Sequence, residues 1–299
     1  MLGGLCFAEM GAMLPKAGGM TVYLNTAFHP LLGFLNGFNS WLLSGAGSLA
    51  AGALAFSAIF GLTGTTGKLV ASALMIVFTA YNMLGIKAGS MFQNFTMVAK
   101  LIPIAIIMIS AFLMGDVSPD LTILPEGTSF DFSSFIRMTA FATLATLWAY
   151  EGWINLNTVS EEMKNPKRNL PLSLIIAIGG ITLLYVLFNY AIYRVIPADE
   201  VRSLIDSENF YLGTEVAKRL LGGFGGVIVI IGMTISQLGS INGMAIAFPR
   251  TYYAMAAEGH FFKSFAKLHP KYRVPTVLNH NRADLAERPE PADIARSIQ

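Results

Sequence analysis

Four stretches of this chain contain no Asp, Glu, Lys or Arg: residues 17–67, 69–86, 169–193 and 220–249. A helix needs ~18–20 apolar residues to cross ~30 Å of hydrocarbon. Each stretch is that long or longer, and water is a poor solvent for all four together. The rest of the composition agrees: 13% of residues are charged, about half of the roughly 25% usual in soluble domains. Inside a bilayer the backbone must satisfy its own hydrogen bonds, as a helix or a closed barrel. The residue-by-residue alternation of a barrel strand is missing. The chain is therefore predicted to be an all-α polytopic membrane protein.

Charges, glycines and prolines predict full spans at about 31–60, 69–87, 92–114, 134–160, 171–195 and 223–256. The apolar stretch over 1–14 is too short to span, as though the chain began inside a helix. Lys16, Lys87, the group Lys164, Lys167 and Arg168, and the group Lys263, Lys267, Lys271 and Arg273 fall in alternate loops. That bias puts those loops in the cytoplasm. The opposite side carries Lys68, an acidic loop with Asp116, Asp120, Glu126 and Asp131, and a long mixed-charge loop over about 196–222. Residues 1–278 form one transmembrane domain. Residues 279–299 are charged and lack aromatics, a composition that predicts a disordered tail.

Several function classes are set aside by the same inspection. The net charge is +2, and Lys and Arg form no basic stripe, so no nucleic-acid partner is expected. The histidines His29, His260, His269 and His280 all fall in loops or the tail, so no metal site of paired histidines is expected inside the membrane. Cys6 is the only cysteine and cannot form an internal disulfide. The run Gly222-Gly223-Phe224-Gly225-Gly226 follows a charged loop rather than a strand, which makes it a helix entry and not a nucleotide fingerprint. No cofactor is expected, and transport is the natural class.

Two ionisable residues lie within otherwise apolar spans. A charge at membrane depth costs at least about 2.5–3.5 kcal/mol, so such groups usually face the protein interior and mark a site or pathway. Lys100 sits in Phe95-Thr96-Met97-Val98-Ala99-Lys100-Leu101-Ile102-Pro103. Either its stem snorkels to the interface or its ammonium is fixed inside the bundle where a metal cation could otherwise bind. Glu151 lies in Trp148-Ala149-Tyr150-Glu151-Gly152-Trp153. A glycine beside an acid between two tryptophans reads as an unwound stretch lining a cavity, where half-helix ends can hold a carboxylate and an ammonium. The competing reading is a tight helix crossing with interfacial tryptophans. In the last span Thr234, Ser236, Gln237, Ser240 and Asn242 surround Gly232, Gly239 and Gly243. Close helix packing explains most such patterns, with some polar atoms left to face a site; Ser44, Gly45, Gly47 and Ser48 carry the same ambiguity.

Several blocks in order resemble the amino acid–polyamine–organocation transporter superfamily. Glu9-Met10-Gly11 with Leu14-Pro15-Lys16-Ala17-Gly18-Gly19 is similar to the end of its second helix and the loop after it. Residues 148–153 followed by Glu161-Glu162-Met163-Lys164-Asn165-Pro166-Lys167-Arg168-Asn169-Leu170-Pro171 resemble its sixth helix and the following loop. Gly239-Ser240-Ile241-Asn242-Gly243, Phe248-Pro249-Arg250 and Ala257-Glu258-Gly259-His260 resemble its eighth helix and exit. Within the superfamily, Lys100-Leu101-Ile102-Pro103-Ile104 is most like the L-type amino acid transporter branch, especially the bacterial serine/threonine exchangers.

The resemblance implies part of a five-plus-five inverted-repeat fold, from the end of helix 2 through helix 8, in a multi-pass protein of a bacterial plasma membrane. It implies an exchanger or permease of small neutral L-amino acids, working by alternating access without sodium. Trp148, Ala149, Tyr150, Glu151, Gly152 and Trp153 would form the substrate segment, with Trp148 or Tyr150 closing over the amino acid. Lys100 would occupy the place of a sodium ion, with Ser236 or Ser240 as its partner. The family's Gly-rich first helix has no counterpart here, and helix nine should begin after Val274-Pro275-Thr276. The chain thus reads as a fragment, and its rival reading is a truncated membrane protein that transports nothing. A channel would call for a repeated charged ring, which single residues Lys100 and Glu151 do not supply.

Overall fold

The computed structural model describes residues 2–119, 131–207 and 211–269, leaving aside the side chains of Leu2 and Trp148. The tail expected to be disordered lies outside the described residues. Helices α1 (Leu2–Met13), α2 (Met20–Ala27), α3 (Pro30–Asn39) and α4 (Ala46–Ile59) come first, followed by α5 (Gly64–Asn82) and α6 (Ile86–Met114). Then come α7 (Phe132–Leu147), α8 (Pro166–Tyr193), α9 (Ala198–Asp206) and α10 (Leu212–Ala257). Five apolar helical stretches are long enough to cross a membrane: Pro30–Ile59, Gly64–Asn82, Ile86–Met114, Pro166–Tyr193 and Leu212–Ala257. The apolar α7 is shorter. The chain is an all-helical, polytopic membrane protein.

Three of the predicted spans need correction. The span expected at 134–160 is not one helix, because α7 stops at Leu147 and 3₁₀ turns over Trp148–Tyr150 and Trp153–Glu162 replace it. The span expected at 31–60 contains a π-helical turn, Ser40–Gly45, between α3 and α4. Tyr252 of α10 donates its hydroxyl to the Ser40 carbonyl at 3.2 Å, which gives one of the displaced carbonyls of this wider turn a partner. The last span begins before the glycine run, at Leu212, but the helix axis breaks at Gly222 (φ 59°, ψ −141°). Lys68 and Lys87, expected in loops, lie in the second turn of α5 and the first turn of α6. Within the loop expected at 196–222, α9 forms with Val201 buried. Asp131 caps α7, accepting the Ser134 amide at 2.9 Å. Hydrogen bonds from Ser134 and Ser133 hold its carboxyl below the usual carboxylate range.

Two groups of helices pack around separate cores. Ala8, Leu170 and Leu174, with Trp153, Leu156 and Met163, join α1 to α8 and to the turn 153–162. Ala53, Ala71, Phe78 and Ile241, with Phe56 and Phe92, join α4, α5, α6 and α10. A third cluster ties the ends of α6 and α8 to α9 and the start of α10 through Ile107, Ala111, Ala191, Ile192, Val201, Val216 and Ile228. Nearby, Arg194 donates to the carbonyls of Gly115 and Val117.

The break at Gly222 turns the chain back so tightly that a Cβ on Gly225 would overlap the Ala217 carbonyl. Gly225→Ala is therefore expected to destabilise the protein by about 1–3 kcal/mol, the range for overpacking a filled site. Heating the detergent-solubilised variant and measuring the surviving monodisperse fraction should show a melting midpoint several degrees below that of the wild type. Gly223→Ala, whose Cβ meets nothing within 4 Å, serves as the comparison.

Candidate functional site

The feature that sets residues 148–153 apart is local backbone chemistry. An α-helix that stops leaves its last carbonyls without intrahelical partners, and α7 stops in the middle of an apolar region. Gly152 makes the change of direction possible, with φ 112° and ψ −20°, a conformation that residues with a Cβ rarely adopt. Asn155 then donates its amide to the Gly152 carbonyl at 3.1 Å, starting the next turn.

Helix α8 braces this break through two tyrosines. Tyr185 donates its hydroxyl to the Ala149 carbonyl at 2.8 Å. Tyr150 donates to Thr182 Oγ1 at 3.1 Å, and the two rings meet edge to face, 5.2 Å between centroids. The Tyr150 ring thus rests against Tyr185 with its hydroxyl on Thr182. Ala149 and Glu151 are exposed, and Glu151 bonds to no described residue. Trp153 faces the other way: its ring packs edge-on against Phe7 at 5.2 Å and belongs to the α1–α8 core. Of the sequence-predicted segment, Ala149 to Gly152 therefore forms one open stretch, while the Trp153 side chain is committed to packing. No residue of α7 is buried, so the surface leading to this stretch is uncovered among the described residues.

Lys100 belongs to the seam between α6 and α10. A Cβ on Gly89 would meet Ile246, one on Gly239 would meet Thr96, and one on Gly232 would meet Pro103. These pairs define an antiparallel register that sets Lys100 level with Ile235 and Ser236. Positions 89, 96 and 103, with 93, 100 and 107, recur at the seven-residue spacing of a helix seam. Because α6 starts at Ile86, about 21 Å of helix precedes Lys100. That depth favours an interior ammonium over snorkelling. Lys100 is half-buried, Ser236 is half-buried and Ser240 is exposed. Lys100 hydrogen-bonds to neither serine, nor to any other described residue.

Of the polar residues of α10, Asn242 serves packing. Asn242 is fully buried, donating to Gln93 Oε1 at 2.9 Å and the Gly89 carbonyl at 3.0 Å, and accepting from Asn82 at 3.0 Å. Thr234 bonds back to the Ile230 carbonyl within its own helix. Gly45 lies against Tyr252 and the Ser40 carbonyl, while Gly47 meets nothing within 4 Å.

A family model described as amino acid permease matches residues 1–278. The chain belongs to the amino acid permease family. It is 30% identical over 283 residues to the serine/threonine exchanger SteT of Bacillus subtilis, an alignment covering 93% of this chain and 62% of that protein. It is 33% identical over 277 residues to the b(0,+)-type amino acid transporter 1 of Oryctolagus cuniculus, covering 88% of this chain and 54% of the relative. The human cystine/glutamate transporter is 28% identical over 283 residues, covering 92% of this chain and 55% of that protein. The permease chain thus spans somewhat more than half the length of these relatives. It is a multi-pass protein of the cell membrane.

Three contacts around the permease's unwound segment escape a reading of the sequence. Tyr185 and Thr182 sit in an unbroken apolar helix, and only their spacing, about one and two turns ahead of Asn189, hints at a polar face. The third is the pair Arg250–Glu162, joined at 2.7 and 3.1 Å. A lone arginine at the end of an apolar span was its available signal, but its acidic partner lies 88 positions away in the chain.

Proposed function

We propose that this permease moves small neutral L-amino acids across the membrane by alternating access, as a sodium-independent exchanger. The observation that carries the reading is the helix break at 148–152. There, half-helix ends and freed backbone groups can hold the α-ammonium and α-carboxylate that every amino acid shares. Glu151, exposed beside that break, is placed to meet a substrate side chain or a proton. Lys100, midway along α6, supplies the fixed positive charge that a bound sodium ion supplies in other carriers. The serine/threonine exchanger among the relatives supports a small polar or neutral substrate.

A second reading, a membrane-embedded piece of a permease that transports nothing by itself, is favoured by α7, which no described residue covers. The two separate cleanly in proteoliposomes. Vesicles preloaded with unlabelled serine should take up labelled serine or threonine faster than empty ones, and equally fast when choline replaces sodium. Uptake no greater than that of protein-free vesicles would instead support the non-transporting reading.

A further inference from the structure

Helix α10 ends at Ala257, and the chain beyond it stays against the bundle. Gly259, at φ 82°, turns the backbone so that the His260 amide reaches back to the Met255 carbonyl at 2.9 Å, a helix stop that glycine adopts without steric cost. Phe261 then packs edge-on against Trp41 of the π-turn at 5.3 Å, and Phe265 against Tyr252 at 6.3 Å. Phe262 touches Phe261 and Trp41, at 4.9 and 6.4 Å, yet is 62% exposed. Between these rings the 3₁₀ turn Lys263–Ala266 forms. Lys263, Ser264 and Lys267 are exposed, and neither lysine meets a carboxylate among the described residues. Leu42 and Leu43, next to Trp41, are exposed as well.

We propose that this ring-and-lysine segment, residues 261–267, is a binding site for anionic phospholipid: Phe262 enters the acyl boundary beside Leu42 and Leu43, and Lys263 and Lys267 hold the headgroup phosphate. Depth supports it. The span Pro30–Ile59 has 30 residues, about 45 Å of helix, some 15 Å more than the hydrocarbon needs. Trp41 stands eleven residues past Pro30, about 16 Å along the helix. An excess carried at the Pro30 end brings Trp41 to the edge of the hydrocarbon, the level that tryptophan favours. Charge supports it too. The Lys and Arg bias places this loop in the cytoplasm, where the leaflet surface is negative and attracts basic side chains next to a membrane helix. Fixed rings beneath two unpaired lysines present an apolar body and a cationic rim, the pattern of an interfacial lipid contact.

The experiment reads lipid contact directly. Ser264→Cys in a Cys6→Ser background of the full chain carries a bimane fluorophore, in phosphatidylcholine vesicles containing a minor fraction of phosphatidylglycerol. Bromine atoms, which quench the fluorophore, are placed on the acyl chains of one lipid or the other. Per brominated molecule, phosphatidylglycerol is expected to quench at least ~threefold more than phosphatidylcholine, within the about fivefold that one lysine near an anionic surface can supply. Lys263→Gln with Lys267→Gln should bring that ratio close to one. The same fluorophore at Leu113→Cys, 80% exposed at the far end of α6, should show no such dependence on the two lysines. Equal quenching by both lipids at position 264, a preference that survives the double substitution, or no quenching by either lipid overturns the proposal. Loss of the preference on adding soluble glycerol phosphate would assign the lysines to a soluble anion and also overturn it. The measurement needs no transport, so its outcome stands apart from the transport reading above.

Discussion

Replacing Gly152 by Leu is expected to reduce amino acid uptake at least ~tenfold, the equivalent of about 1.4 kcal/mol, while the protein still inserts and remains monodisperse. The reason is conformational rather than steric. A Cβ at this position would meet nothing within 4 Å, but the backbone stands at φ 112°, and forcing an L-residue into such a region costs about 1–3 kcal/mol. The segment is expected to relieve that strain by rewinding toward α7, which withdraws backbone groups from the substrate. Gly152→Asn should keep more uptake, because Asn tolerates positive φ better than Leu does. Equal uptake by wild type and Gly152→Leu would mean that the break has no part in transport. The comparison is made at equal reconstituted protein, with initial rates of labelled serine entry.

Lys100→Met is expected to separate stability from function. The lysine sits half-buried on the α6–α10 seam without a hydrogen bond to any described residue, and an unpaired ammonium at that depth is costly to hold. Removing the charge while keeping a long apolar stem should leave the melting midpoint unchanged or raise it. Uptake should nevertheless fall at least ~tenfold if Lys100 is the fixed cation proposed to stand in for sodium. Lys100→Ala should also lose uptake, but with lower stability from the space left between the helices. Retained uptake in both variants would remove Lys100 from the mechanism.

How much of this was legible in the sequence depends on how local each determinant is. The apolar spans are set by composition over about twenty residues, and five of them stand as helices. The break at Gly152 was legible because a glycine and a glutamate interrupt an aromatic stretch within a few positions. The π-turn at Ser40–Gly45 was not, since Ser40-Trp41-Leu42-Leu43-Ser44-Gly45 contains nothing that forbids an α-helix; the turn is supported from outside by Tyr252. The start of α10 was hidden by its own glycines, which mark Gly222 as the break but give no sign that Leu212–Leu221 is helical. Helix α9 escaped because its charges resemble a loop, although Val201 is buried beneath it. The Trp153 side chain is placed in the substrate segment by the family resemblance, and its packing against Phe7 comes from a helix far away in the chain. Pairs such as Glu162–Arg250 and Tyr185–Ala149 are products of tertiary register, which one sequence does not encode locally.

The central claim, that the unwound segment holds the amino acid, is tested most directly by substrate protection. Ala149→Cys and Ala142→Cys, both at exposed positions, are made separately in a Cys6→Ser background and labelled with a small maleimide, with and without saturating serine or threonine. The account predicts that substrate slows labelling at position 149 several-fold and leaves position 142 on α7 unchanged. Equal labelling at 149 with and without amino acid, or equal slowing at both positions, would contradict it.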